Sequence, residues 1–179
     1  MSNRALSLLC LMLLWIPPAA GAGARVEVPV GGTLREAQLH GLNGPARALS
    51  SFRGKPLIIN VWASWCGPCR SEMASLERLA WRDDAHRFAI IGVSTDDYVD
   101  KARAWLSDSN ATISQFIDAD LEMETMLGAS RLPLTVFVDA NGHVLNKVYG
   151  AREWDSPEAL RLIAQAFGTG PKPAAARAR

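Results

Sequence analysis

Two cysteines stand three residues apart in the segment NVWASWCGPCRSEM, residues 60–73, which continues an apolar run. The pair is Cys66 and Cys69, and a glycine and a proline separate them. Thiols at this spacing can form a structural disulfide, supply half of a metal site, or act as a redox centre that opens and closes. The rest of the sequence bears on which of these three chemistries applies.

The composition makes a purely structural disulfide a weak explanation. The chain has 179 residues, a net charge of +1 and 49% hydrophobic residues, which is typical of one globular domain. A domain of about 150 residues buries roughly 68–70% of its unfolded surface, so it does not need a disulfide framework to fold. The charge also provides no basic excess for nucleic acid, so we expect no nucleic-acid partner.

Metal and cofactor sites are poorly supported around these cysteines. A structural zinc site needs four ligands, and the sequence holds no second Cys-x-x-Cys. Covalent haem attachment needs a histidine after the second cysteine, where this chain has Arg70. His40, His86 and His143 are scattered along the chain, and we interpret them as surface or packing residues. The sequence therefore predicts no metal site and no organic cofactor.

The N-terminus has the three parts of an export signal. Arg4 supplies positive charge, residues 5–16 form an apolar core, and a stretch of small residues follows. We expect cleavage after Ala22 or Ala24, so that residues 1–22 are a signal peptide; if uncleaved, the segment would be a membrane anchor. Export predicts a periplasmic or other extracytoplasmic protein. A dithiol that works there must be a strong oxidant or be kept reduced by a dedicated donor.

The remaining pattern predicts an α/β domain over residues 25–168. Residues 25–53 are turn-rich and favour a β-hairpin before the main sheet, and the cationic tail 169–179 is expected to be disordered. An alternation of strands and helices follows, which predicts a mixed central sheet with helices on both faces. The predicted strands cover residues 57–63, 87–94, 112–117 and a hairpin at 134–150, and the predicted helices cover residues 64–81, the segment after 95–97 as far as 109, 121–127 and 156–167.

Two acidic segments are interpreted as helix caps. The first, residues 95–97, would cap the second long helix. The second, DADLEME at 118–124, spaces its acids like a calcium loop, but Met123 stands where such a loop needs glycine. We therefore expect Asp118 or Asp120 to cap a helix instead of binding calcium.

The predicted topology places the cysteines at the carboxyl edge of the sheet and at the start of a helix. Strands 57–63 and 87–94 end at the same edge when a right-handed crossover joins them. A helix N-terminus carries about half a positive charge, so it stabilises an anion. Lowering the pKa of Cys66 from about 8.5 to about 7 takes roughly 2 kcal/mol, which a partly buried helix end can supply. We predict that Cys66 attacks as a thiolate and that Cys69, pointing inward, resolves the mixed disulfide.

The segments FRGKPLIINVWASWCGPCRSEMASL, IIGVSTDD and RLPLTVFVDANGHV closely resemble the thioredoxin-like proteins of the TlpA/ResA type, which are exported thiol–disulfide oxidoreductases of bacteria. The resemblance extends over about residues 34–168 and implies a thioredoxin-like fold. It also implies that Pro133 is in the cis form and faces the disulfide. A cis proline at this point would leave the backbone of Leu132 free to pair with a substrate strand.

Three residues of the motif complete the expected substrate-binding set with Leu132 and Pro133. Trp65 is expected to supply apolar surface beside the reactive sulfur. Gly67 keeps the approach to that sulfur open, and Pro68 stands in the first turn of the helix, where its missing N–H is harmless.

Glu72 is a candidate base for Cys69. Thioredoxins carry a buried aspartate six residues before the first cysteine, and this chain has Asn60 there. In the TlpA/ResA type a glutamate three residues after the second cysteine is thought to take over the task, and Glu72 occupies that position. The alternative is an exposed acid that the first helical turn favours. Ala74 replaces a proline that kinks the helix in related sequences.

The resemblance and the Gly-Pro pair predict a protein-disulfide reductase that a membrane thiol donor recharges. The sequence leaves its substrate open among apocytochrome c, a copper-site precursor, a sulfur-oxidation enzyme and a misoxidised protein, and RLPL lacks the glycine and glutamate of the cytochrome-maturation proteins. Two alternatives remain: an oxidant that introduces disulfides, and a copper-delivering metallochaperone. A peroxidase is disfavoured because that chemistry uses a different motif around its reactive cysteine.

Overall fold

A computed structural model describes residues 26–82 and 87–169. The predicted signal peptide and nearly all of the predicted tail lie outside these residues, as does His86. Within the described ranges, no helix is long and apolar enough to cross a membrane. The strands are β1 (Gln38–Gly41), β2 (Arg47–Ala48), β3 (Leu57–Trp62), β4 (Ala89–Ser94), β5 (Ser114–Ile117), β6 (Leu134–Val138) and β7 (Val144–Tyr149), and the helices are α1 (Gly67–Ala80), α2 (Val99–Ser109), α3 (Glu122–Leu127) and α4 (Pro157–Ala166), with a 3-10 helix at Leu49–Phe52.

The strands form one mixed sheet in the order β2-β1-β5-β4-β3-β6-β7. Strand β4 lies parallel to both β3 and β5, so these three strands end at the same edge. Strands β6 and β7 extend the sheet antiparallel on one side, and the β1–β2 hairpin joins it through β5 on the other. The predicted thioredoxin-like fold with an N-terminal hairpin is confirmed.

The central strand β3 is buried along its whole length, as its unbroken apolar run predicts. Its side chains alternate between two hydrophobic clusters. Ile58 and Trp62 belong to the cluster that includes residues of α1, α2 and α4, whereas Ile59 and Val61 belong to the cluster that includes residues of α3. The two faces of β3 therefore pack into separate cores, and the end of the strand is held in place.

Helix α1 begins later than the sequence predicts, at Gly67 instead of Ser64. Cys66 is the N-cap with an extended backbone, and its sulfur accepts the N–H of Cys69 at 3.2 Å. Pro68 occupies the first turn and supplies no N–H that would need an acceptor. The first cysteine therefore lies at the positive end of the helix, before its first turn.

Helix α2 is not capped by the acidic segment that precedes it. The helix begins at Val99, and its N-cap residue Tyr98 makes no side-chain capping hydrogen bond. The prediction that residues 95–97 cap this helix is therefore wrong. The physical reason is that the carboxylate of Asp96, in this segment, is buried and already accepts hydrogen bonds from Ser64 and Ser94.

Helix α3 is capped from a distance by Asp118. The carboxylate accepts the backbone N–H groups of Met123 at 3.0 Å and Glu124 at 2.7 Å. These are two of the N–H groups that have no partner inside a helix at its start. The prediction of a cap at Asp118 is confirmed, and the capped helix forms one side of the cavity described below.

Asp96, just after the end of β4, has a buried carboxylate; the residue is 3% exposed. It accepts the N–H and the hydroxyl of Ser64 at 2.9 and 2.6 Å, and the hydroxyl of Ser94 at 2.6 Å. Asp96 thereby fastens the loop after β3 to the end of β4. Since Ser64 lies two residues before the first cysteine, this attachment fixes the approach of the chain to Cys66.

Replacing Asp96 with alanine leaves the Ser64 N–H and the Ser94 hydroxyl without their buried acceptor. We expect the oxidised protein to lose about 1–3 kcal/mol of unfolding free energy, which urea denaturation measures. Asp97→Ala is the matched control because the neighbouring Asp97 is exposed. Equal losses in the two variants would contradict the role assigned to Asp96.

Candidate active site

Cys66 and Cys69 form a disulfide at the N-terminus of α1. The sulfur-bearing residues differ in access: Cys66 is 5% exposed, whereas Cys69 is 0% exposed and lies in the apolar core. Only the first cysteine borders open space, and the predicted inward position of Cys69 is confirmed. The described parts of the chain contain no cluster of three or more His, Cys, Asp or Glu residues that could hold a metal ion.

An open cavity of about 580 Å³ lies beside the disulfide. The structure brings four of the five predicted substrate-binding residues to its wall together with the first cysteine: Trp65, Cys66, Gly67, Pro68 and Leu132. Trp65 is 72% exposed, and a side chain added at Gly67 would meet no other atom within 4 Å. The motif thus presents a flat apolar ring and unobstructed backbone next to the accessible sulfur.

A larger cavity, of about 720 Å³, lies at the opposite end of β3 and β4. Its lining includes Lys55 and Ile90 but no residue of the cysteine motif. The residues that can exchange a disulfide face the smaller cavity, so we place the candidate active site there.

The peptide bond between Leu132 and Pro133 is cis. Leu132 packs against the cluster that contains both cysteines and lines the cavity, whereas Pro133 is buried. The carbonyl of Pro133 accepts the N–H of Gly150 at 2.9 Å, which ties the entry of β6 to the end of β7. It is therefore Leu132 that the structure places on the cavity wall with Cys66.

Glu72 is buried, with 1% of its surface exposed, so the alternative of an exposed acid is wrong. Helix α1 runs without a break through Ala74, and it carries Glu72 into the core. One carboxylate oxygen accepts the side-chain amide of Asn60 at 2.7 Å. The other accepts the indole N–H of Trp154 at 3.0 Å and the backbone N–H of Arg152 at 3.1 Å.

Burial raises the pKa of Glu72 because it removes water from the charged carboxylate. The hydrogen bonds from Asn60, Trp154 and Arg152 oppose this effect, but burial outweighs them. Glu72 lies one helical turn after Cys69, and its raised pKa makes its carboxylate a stronger base than that of an exposed glutamate.

Two features of this site were not found from the sequence. Trp154 and Arg152 lie about eighty residues after Glu72, in the loop between β7 and α4, and nothing in their spacing links them to the motif. The one available signal was general: a buried tryptophan needs an acceptor for its indole N–H. The role of Asp96 was also missed, because an acid before a helix resembles a cap.

The raised pKa of Glu72 makes the stability of the oxidised protein depend on pH. The folded protein holds a proton on Glu72 where the unfolded chain has lost it, so this contribution is present below the ordinary value of 4.5 and is lost as pH rises through the raised pKa. Glu72→Gln cannot titrate there, and its unfolding free energy should lack this decline. Urea denaturation of the parent and of Glu72→Gln, each in its disulfide form, between about pH 4 and 8 tests the difference. Parallel plots of unfolding free energy against pH would contradict it.

Comparison with known proteins agrees with this geometry. The AhpC/TSA family model matches residues 30–147. The thiol:disulfide interchange protein DsbE of Vibrio cholerae is 34% identical over 149 residues, which cover 78% of this chain and 79% of that protein. The thiol-disulfide oxidoreductase ResA of Geobacillus thermodenitrificans is 27% identical over 126 residues, which cover 70% and 72%.

A solved structure shows the same arrangement of elements. The crystal structure assigned to a DsbE-type thiol:disulfide interchange protein of Chlorobium tepidum aligns with a TM-score of 0.71 at 25% identity, covering 78% of this chain and 99% of that one. Taken with the cysteine pair at the start of α1, these matches show that the chain belongs to the AhpC/TSA family and is a thioredoxin-like thiol–disulfide oxidoreductase of the DsbE and ResA kind.

Proposed function

We propose that this protein is an exported protein-disulfide reductase. The observation that carries the proposal is the difference between its two cysteines: Cys66 borders an open cavity at a helix N-terminus, and Cys69 is fully buried behind it. Only Cys66 can meet a disulfide on another protein, and only Cys69 can reach the resulting mixed disulfide from inside.

The reaction begins with the reduced protein. The Cys66 thiolate attacks one sulfur of a substrate disulfide; a mixed disulfide forms and the other substrate sulfur leaves as a thiolate. Cys69 then gives its proton to Glu72 and attacks the sulfur of Cys66. The Cys66–Cys69 bond forms, the mixed disulfide breaks, and the remaining substrate sulfur leaves as a thiolate with the electron pair of the broken bond, which completes the two-electron reduction of the substrate disulfide.

The cavity suits an extended peptide that carries a cysteine. The exposed ring of Trp65 and the side chain of Leu132 both line the cavity together with Cys66. We expect the backbone of Leu132, next to the cis bond at Pro133, to pair with an incoming strand, which would give affinity through main-chain hydrogen bonds without a demand on sequence. We infer that substrates are partly unfolded proteins whose disulfides lie in extended segments.

Export and recharging complete the proposal. The apolar segment within residues 1–22 supports export, either as a cleaved signal or as an anchor. In an oxidising compartment the disulfide seen here must be reduced after each turnover, so a membrane thiol donor is required. Apocytochrome c, copper-site precursors and sulfur-oxidation enzymes are the substrates that we propose to test.

Trapping the mixed disulfide identifies the substrate. Cys69→Ser leaves Cys66 able to attack but unable to be released, so we expect covalent adducts that dithiothreitol removes and that mass spectrometry identifies. The double variant Cys66→Ser/Cys69→Ser is the control and should capture nothing. Absence of any protein adduct on a reactive Cys66 would contradict a protein substrate.

The equilibrium potential separates a reductase from an oxidant. We expect a value near that of thioredoxin, about −270 mV, in a glutathione redox titration of the Cys66–Cys69 pair. A value near −120 mV, as in strong disulfide donors, would favour the introduction of disulfides instead.

A further inference from the structure

The loop between β7 and α4 supplies two of the three hydrogen bonds that hold the Glu72 carboxylate. The indole N–H of Trp154 and the backbone N–H of Arg152 both reach the same carboxylate oxygen, at 3.0 and 3.1 Å. Because neither donor can ionise in the pH range of the reaction, each favours the charged form of Glu72 whenever it is in place.

This loop is attached to α1 independently of the cysteines. The Ser75 hydroxyl lies 2.7 Å from the carbonyl oxygen of Glu72 and 3.2 Å from that of Arg152, and it accepts the backbone N–H of Trp154 at 2.9 Å. At the surface, Arg78 of α1 makes an ion pair with Asp155 at 2.6 Å. None of these contacts between the loop and α1 involves a cysteine.

The indole of Trp154 has a fixed direction. The residue is 0% exposed, and its ring packs edge-on against Phe137 of β6, with ring centres 5.9 Å apart. A buried ring held in this way cannot turn its N–H elsewhere, so the hydrogen bond to Glu72 is the one it makes. The geometry fixes one carboxylate oxygen without any charged partner.

The third donor, Asn60, leaves the site incomplete. Its amide nitrogen reaches Glu72 at 2.7 Å and the hydroxyl of Thr135 at 3.1 Å. Its carbonyl oxygen is buried and has no hydrogen-bond partner among the described residues. Asn60 is therefore the one of the three donors whose own hydrogen bonding is not complete within this part of the chain.

We propose that Trp154 is a positioning residue of the redox reaction, whose indole N–H keeps the Glu72 carboxylate charged and directed so that it can accept the proton of Cys69. The inference rests on the base role of Glu72 in the proposed function. The groups that contact Glu72 from α1, β3 and the loop are Asn60 and the two loop donors, and none of them is charged at the point of contact. The Arg152 guanidinium is directed to Glu158, at 3.7 Å.

Trp154→Phe tests the proposal because it keeps a buried aromatic ring and removes the N–H. The reduced protein is mixed with 5,5′-dithiobis(2-nitrobenzoate) in a stopped-flow instrument; the first nitrothiolate reports attack by Cys66, and the second reports resolution by Cys69. Loss of the donor disfavours the Glu72 carboxylate, so the pH midpoint of the second step should move upward by about one unit. Below the midpoint, resolution should slow roughly tenfold, while the first step stays unchanged.

Trp62→Phe is the matched control. Trp62 is also 0% exposed and lies in the same apolar cluster, but its indole N–H is donated to Gln115 at 2.9 Å. The pH midpoint of the resolution step in Trp62→Phe should equal that in the parent protein. In the double variant Glu72→Gln/Trp154→Phe the tryptophan change should have no added effect, because it acts through the missing carboxylate.

A titration of Glu72 by carboxyl carbon-13 NMR in the disulfide form provides a second measurement that needs no turnover. If Glu72→Gln changes the pH midpoint of resolution but Trp154→Phe does not, the role inferred for Trp154 is wrong and the base role of Glu72 stands. If Trp154→Phe raises the pKa of Glu72 while resolution in both variants matches the parent, the base role under the proposed function is wrong instead.

Discussion

The position of Cys66 at the N-terminus of α1 is the constraint on which the chemistry depends. The sulfur caps the helix, and the N–H of Cys69 points at it from 3.2 Å. Both this N–H and the dipole of the helix favour a thiolate once the disulfide is opened. The sheet supplies the rest of the constraint, because β3 is buried on both faces and ends four residues before the cap.

The second cysteine faces the opposite problem. Cys69 is buried in the apolar core, where a thiolate is costly. It therefore needs a nearby base that takes its proton as it attacks. Glu72 lies one turn further along α1, and burial raises the pKa of its carboxyl group while Asn60 and Trp154 hold it with hydrogen bonds. The same helix thus offers an anion-stabilising end to Cys66 and, in the function that we propose, a buried base to Cys69.

Much of this arrangement could be predicted because it is encoded locally. The apolar run of β3 and the Asn141-Gly142 turn between β6 and β7 specify their elements by pattern alone. The cysteine spacing specifies which sulfur caps the helix. The strands and helices predicted from these short-range signals are present, although α1 starts later, at Gly67, because Cys66 is its N-cap, and residues 95–97 do not cap α2.

What could not be predicted depends on contacts between distant segments. Asp96 precedes a helix, which favours a cap, but its carboxylate is used by Ser64, thirty-two residues earlier. Trp154 carries no motif, and its link to Glu72 spans eighty-two residues. Sequence patterns report periodicity and local capping, whereas these bonds follow from how β4 and the loop before α4 meet α1. These contacts fasten the loop after β3 to the end of β4 and hold the Glu72 carboxylate in place.

The pKa of Cys66 in the reduced protein tests the central claim most directly. It can be measured from the ultraviolet absorbance of the thiolate as pH is raised, with Cys66→Ser as the blank. The account predicts a value near 7, well below the ordinary value of about 8.5. A Cys66 thiol that titrates at or above about 8.5 would contradict it, because the helix N-terminus would then not stabilise the attacking sulfur.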